Sequence, residues 1–181
     1  MFAADLQITI EQLSEQDWQQ SLQLKFMGYV RCLRAVLPIM VQQGGGRVVN
    51  LIGNNGGKPS YWELCSGAVN AAGQNLTLAL AGQYGKHGIS FVAVNPGTVR
   101  TERWTGLVEA MARTMKISQA EADQLAAASI PMGRIAEVEE VARLVAILAS
   151  PLMEMVSGTM IEIDGGQDKR LMDRMRDRPR G

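Results

Sequence analysis

Three short runs constrain this chain more than any other feature: RVVNLI at 47–52, ISFVAVNPG at 89–97 and GTMIEIDGG at 158–166. The first two are short, β-branched and almost free of charge, which is the pattern of strands buried on both faces. Between them lie long stretches of helical periodicity. The order is helix, strand, helix, strand, helices, strand, and this alternation predicts a parallel sheet with helices on both faces. At 181 residues, with 46% hydrophobic and 20% charged side chains, the chain is long enough for one sizeable core.

The helical segments carry their own punctuation. From Ser14 onward, Trp18, Leu22, Phe26, Tyr29, Leu33, Leu37 and Met40 recur at steps of three and four, with Ser14 placed as N-cap ahead of Asp17. Gly44, Gly45 and Gly46 stop that helix, and GNNGGKPS at 53–60 reads as a loop. A second helix is expected from about Trp62 to Tyr84. It is rich in small residues, among them Gly67, Ala68, Ala71, Ala72, Gly73, Ala79, Ala81 and Gly82, which permit close approach to a sheet or to a second copy of itself. Residues 98–129 read as helical and methionine-bearing. An amphipathic helix follows through Val141, Leu144, Val145 and Leu148.

Eighteen basic residues balance eighteen acidic ones, so no global field draws the chain to nucleic acid or to an anionic membrane. The segment MFAADLQITIEQL has neither a basic opening nor a long apolar run, and nowhere do 18 apolar residues occur in succession. A cytoplasmic protein with no membrane partner is expected. Cys32 and Cys65 sit in apolar helical stretches without metal-ligand spacing and are read as buried thiols. One histidine, His87 in the turn GKHG, leaves a protein metal site without ligands. The last fourteen residues, with six basic and three acidic side chains, are read as an exposed charged tail over 168–181, following a domain over 1–167.

Several phrases, taken together and in order, resemble the short-chain dehydrogenase/reductase family. They are LPIM followed by GGGRVVNLI, then AVNAAGQNLTLALAGQYGKHGISFVAVNPGTVRTE, then IPMGRIAEVEEVARLVAILAS and GTMIEIDGG, and they extend over about residues 11 to 167. The resemblance implies a three-layer Rossmann-type α/β fold and an NAD(P)-dependent oxidoreductase that interconverts a carbonyl and an alcohol by hydride transfer. In such folds ligands bind beyond the carboxyl ends of the strands. The segment NPGTVRT follows the strand at 89–94, and by resemblance Pro96, Gly97, Val99 and Thr101 lie along the nicotinamide half of NAD or NADP.

Two departures stand against this agreement. The family opens with a strand and a T-G-x-x-x-G-x-G turn that holds the pyrophosphate, and no stretch of this sequence matches it. The resemblance is therefore to the family's C-terminal two-thirds, lacking the N-terminal dinucleotide-binding strands. The strand 47–52 then offers an apolar edge that another segment or subunit would have to cover.

The second departure concerns the proton machinery. The family uses a serine, a tyrosine, a lysine four residues after that tyrosine, and an asparagine on the preceding helix. Matching SGAVNA to the lysine-bearing phrase sets Ser66 in the lysine's place and Trp62 in the tyrosine's; Gly53 falls at the serine and Lys25 at the asparagine. None of the four is retained. Tyr61 stands one residue early, an offset of about 100° on a helix. An alternative constellation of Tyr61, Lys25 and Asn54 (or Asn55 in place of Asn54) is the catalytic expectation, with Lys25 approaching from the first helix and the asparagine donating to a carbonyl oxygen.

By resemblance, Trp104, Met111, Met115 and Met132 fall where the family keeps its substrate lid, which points to a small apolar carbonyl or alcohol as partner. A homodimer or homotetramer through helices 16–42 and 62–85 is also implied. The alternative function is a non-catalytic scaffold or oligomerisation subunit.

Overall fold

The computed structural model describes residues 9–169. Helix α1 (Glu15–Ser21) opens with Ser14, whose hydroxyl accepts from the Asp17 amide while the Asp17 carboxylate accepts from the Ser14 amide at 2.9 Å. This reciprocal pairing satisfies two amides that the first helical turn would otherwise leave bare. A π turn over Leu22–Phe26 joins α1 to α2 (Met27–Gln42). Gly44 and Gly45 then reverse the chain with positive φ of 82° and 158°, leading into β1 (Gly46–Leu51).

Strand β1 is followed by α3 (Leu64–Tyr84), β2 (Ile89–Pro96), α4 (Glu102–Met115), α5 (Gln119–Ala128), α6 (Val138–Ala149) and β3 (Thr159–Ile163). The three strands are parallel in the order β1-β2-β3, with Val48 opposite Phe91 and Val94 opposite Ile161. The α/β expectation therefore holds.

Strand alternation sorts the core into two layers. Ile89 and Phe91 face one way, packing with Leu33 and Leu37 of α2 and with Leu76 and Leu80 of α3. Val92 and Val94 face the other way and meet Leu144, Val145 and Leu148 of α6. A separate cluster, including Trp104, Val108, Met111 and Ala122, ties α4 to α5. β2 is thus covered on both faces and both edges, whereas β1 has no strand on its outer edge among the described residues.

Three expectations change. Cys65 is buried but Cys32 is exposed, because it lies on the α2 face turned away from Leu33 and Leu37. Trp104 and Met111 are buried in the α4–α5 core rather than held out over a site, and the Trp104 indole donates to Asp123 Oδ1 at 2.8 Å; Met132 remains exposed. Lys169, counted with the exposed tail, is buried and pairs with Glu63 at 3.3 Å. The remainder of the tail lies outside the described residues.

Candidate active site

The carboxyl ends of the three strands bring together most of the buried polar side chains. After β1 the chain passes through Ile52 and Gly53 into a single 3-10 turn, Asn54–Gly56, tucked against α3. The fit depends on absent side chains. A Cβ on Gly56 would lie 2.7 Å from the Ala71 amide nitrogen, and one on Gly53 would lie 2.7 Å from Asn70 Nδ2. Gly53 also has φ of +146°, which L side chains rarely adopt. The serine that the family resemblance would set at 53 has no room while Asn70 stands where it does.

Lys25 reaches this turn from the π turn of the first helix. Its ammonium donates to the Ile52 carbonyl and to Asn70 Oδ1, each at 2.6 Å. Partial burial, with a smaller contribution from the Arg103 guanidinium, lowers its pKa from 10.5 to about 8. Asn70 Nδ2 in turn donates to Asn55 Oδ1. Asn55 Nδ2 donates to Glu63 Oε2 at 3.1 Å and to Ser66 Oγ at 3.0 Å. Asn70 was not foreseen, although a lone amide in an otherwise small and apolar stretch of α3, one turn after Ser66, is the signal that would have found it.

A second network closes the other side. Asn54 Nδ2 donates to Asp164 Oδ2 at 3.0 Å and to Gln167 Oε1 at 3.2 Å. Lys58 forms an ion pair with Asp164, and Gln167 Nε2 donates to Thr98 Oγ1 at 3.2 Å. Burial raises the Asp164 pKa, but the donors Asn54, Lys58 and the Gly166 amide outweigh it and hold the carboxyl below its usual range. Asn54 therefore has both amide hydrogens committed inside the protein, so it braces Asp164 and has none to offer a substrate carbonyl. Tyr61 is half-exposed, with its ring 6.0 Å from that of Trp62.

The segment 96–101 runs along the same end of the sheet. Pro96 pairs with Ile163, and the Gly97 amide donates to the Ile163 carbonyl at 3.1 Å. A Cβ on Gly97 would fall 2.6 Å from Asp164 Cβ, so only glycine lets β2 and the turn after β3 approach this closely. Val99 bridges to Ala136, and Thr101 is the N-cap of α4 with no side-chain capping bond. α4 starts directly after this segment, and the positive end of a helix favours an anion. These four residues lie together at the carboxyl end of the sheet, where the family resemblance expects the nicotinamide half of a dinucleotide. No glycine-rich turn for the pyrophosphate occurs in the sequence. Among the described residues no cluster of histidine, cysteine and carboxylates could hold a metal ion.

Known proteins share both the sequence pattern and the fold. Residues 2–168 match the family model described as enoyl-(acyl carrier protein) reductase. The chain is 29% identical over 163 residues to the NADPH-dependent reductase BacG of Bacillus subtilis, covering 90% of this chain and 63% of BacG. It is 31% identical over 159 residues to the short-chain reductase protein NovJ of Streptomyces niveus, covering 86% of this chain and 57% of NovJ. Among solved structures, YwfH, an NADPH-dependent reductase involved in bacilysin biosynthesis, superposes with a TM-score of 0.81 at 30% identity, over 87% of this chain and 61% of YwfH. L-sorbose reductase from Gluconobacter frateurii, complexed with NADPH and L-sorbose, gives 0.83 at 26% identity, over 90% and 62%. The chain thus spans about three fifths of the length of these relatives.

Proposed function

Because the chain belongs to the short-chain dehydrogenase/reductase family, we propose that it serves as an NAD(P)-dependent oxidoreductase interconverting a carbonyl and an alcohol by hydride transfer. The observation that carries this reading is the convergence of Lys25 and the segment 96–101 on the carboxyl end of one parallel sheet. Relatives described as NADPH-dependent, and an NADPH complex of the same fold, support the choice of cofactor.

In this reading Pro96, Gly97, Val99 and Thr101 hold the nicotinamide half of NAD or NADP, which supplies or accepts the hydride when bound. Gly97 leaves the space, and the start of α4 presents amides to negative charge. Lys25 provides a fixed positive charge beside the reacting oxygen, stabilising an alkoxide as it develops. Tyr61, at the mouth of α3, exchanges the proton. Asn54, bound to Asp164 and Gln167, fixes the floor of the site. The substrate is a small apolar carbonyl or alcohol that Met132, exposed above the strand ends, can contact.

The chain is proposed to act in the cytoplasm and to pair with copies of itself through helices 16–42 and 62–85. Among the described residues no helix is long and apolar enough to cross a membrane. Exposed Cys32, Val36 and Ile39 recur at steps of four and three along α2, an apolar stripe suited to such pairing.

Titration of NADH and NADPH into the purified chain, followed by nicotinamide fluorescence and then by turnover with a panel of ketones and aldehydes, tests the assignment. Saturable binding with turnover is the expected result. A well-folded chain that binds neither dinucleotide would leave the non-catalytic subunit as the better description.

A further inference from the structure

Hydrogen bonds around Lys25 all point in one direction. An ammonium only donates, so the Asn70 carbonyl must face Lys25, at 2.6 Å. Asn70 is then obliged to turn its NH2 toward the Asn55 carbonyl, and Asn55 its own NH2 toward Ser66 and the Glu63 carboxylate. The Glu63 carboxylate closes the series on the Lys169 ammonium at 3.3 Å. An ammonium, two amides and a carboxylate thus form a chain in which each link polarises the next in the same sense. Asn70 and Asn55 are both buried, and Gly53 lacks the side chain that would collide with Asn70.

The two partners come from different helices. Lys25 sits within the π turn between α1 and α2, an irregularity often found where a side chain is placed for function. Asn70 lies on α3 four residues after Ser66, so the two share a helical face. The gap they fill is bounded by the Ile52 carbonyl, which also accepts from Lys25. That carbonyl and a side-chain amide define a seat for a cation which either helix is able to supply.

We propose that Asn70 is the positioning residue for Lys25, and that the pair is interchangeable: the site needs one cation and one amide in this gap, whichever helix carries each. The functional half of this inference rests on the oxidoreductase reading. Asn55 and Glu63 set the orientation of the Asn70 amide. The positive charge of Arg103 on α4 also disfavours the Lys25 ammonium, after burial.

Four variants of the full chain test this: Asn70→Leu, Asn70→Lys, Lys25→Asn, and the exchange Lys25→Asn with Asn70→Lys. The first readout is independent of cofactor. Acetic anhydride modification of Lys25, followed by peptide mass spectrometry, is compared with that of exposed Lys86 in the same molecule. Release of Lys25 in Asn70→Leu should raise its relative rate by about threefold or more. An unchanged rate in a folded variant would overturn the positioning role, and Asn70→Ala gives the same readout should the leucine variant not fold.

The second readout is NADPH affinity. Each single change is expected to weaken binding by about tenfold, and the exchange to recover it to within about threefold of the parent. Losses that simply add in the exchange variant would overturn interchangeability. If the parent binds no NADPH, the oxidoreductase reading fails. In that case the interchange is decided by whether the exchange variant regains the parent's thermal midpoint, lost in both single variants; simple addition of the two losses there overturns it.

Discussion

Lys25 carries a charge in a place where water is scarce, and its protonation must differ between the folded and unfolded chain. Its folded pKa is about 8 against an ordinary 10.5. Between those values the unfolded chain holds a proton that the folded chain has released, so stability contributed by this group rises with pH across the window. Below about pH 8 the folded protein bears the cost of a partly buried ammonium. Urea unfolding of the parent and of Lys25→Met at pH 7.5 and 9.5 measures the effect, since other titrations cancel in the comparison. The parent should gain about 1 kcal/mol over the variant across that interval, after discounting for partial exposure. An unchanged difference would mean that Lys25 titrates as it does in water.

The first helix places Lys25 through its irregular turn. A regular α-helix presents its buried face at every three or four residues, and the π turn over Leu22–Phe26 shifts that phase. Leu22 and Leu24 are left exposed while Lys25 reaches inward to the Ile52 carbonyl just past β1. The α1 segment upstream is short and depends on its cap. Loss of the Ser14 hydroxyl in Ser14→Ala should cost about 1 kcal/mol and fray the turn ahead of Trp18. Hydrogen exchange confined to the amides of α1 would show it, and unaltered protection there would mean that packing alone holds the segment. In α3 some small residues serve the loop, since Gly73 rests against Ile52 and Gly56 needs the clearance at Ala71, whereas Gly82 meets nothing within 4 Å among the described residues and leaves room for a partner helix.

For the molecule as a whole, two surfaces are unfinished. The outer edge of β1 carries no strand among the described residues, and α2 turns Val36 and Ile39 to solvent. An exposed apolar stripe on a long helix and an open strand edge both favour association. Light scattering on the purified chain should give at least twice the monomer mass, and a monomer mass would overturn the pairing. Val36→Glu with Ile39→Glu should lower that mass without loss of helicity, because neither side chain belongs to the buried core. A mass unaffected by these charges would move the contact to the β1 edge.

The sequence by itself determined the order of elements, the parallel sheet and the family. The first two follow from periodicity in RVVNLI, ISFVAVNPG and the helical runs between them, signals that are local and survive without knowledge of neighbours, and the family from the ordered set of phrases that resembles it. It also marked Lys25 and the segment 96–101. Only the tertiary structure decided what those residues meet. Asn54 is spent on Asp164 and Gln167, from 110 and 113 positions away, and Lys169 closes on Glu63 across a comparable span of chain. The resemblance set Ser66 in the place of the family's lysine, whereas Asn70, one turn further on, is the α3 residue that meets Lys25. The reason is physical: helical phase is legible along one helix, but the register between two helices is set by packing, here by a π turn and by the missing side chain of Gly53.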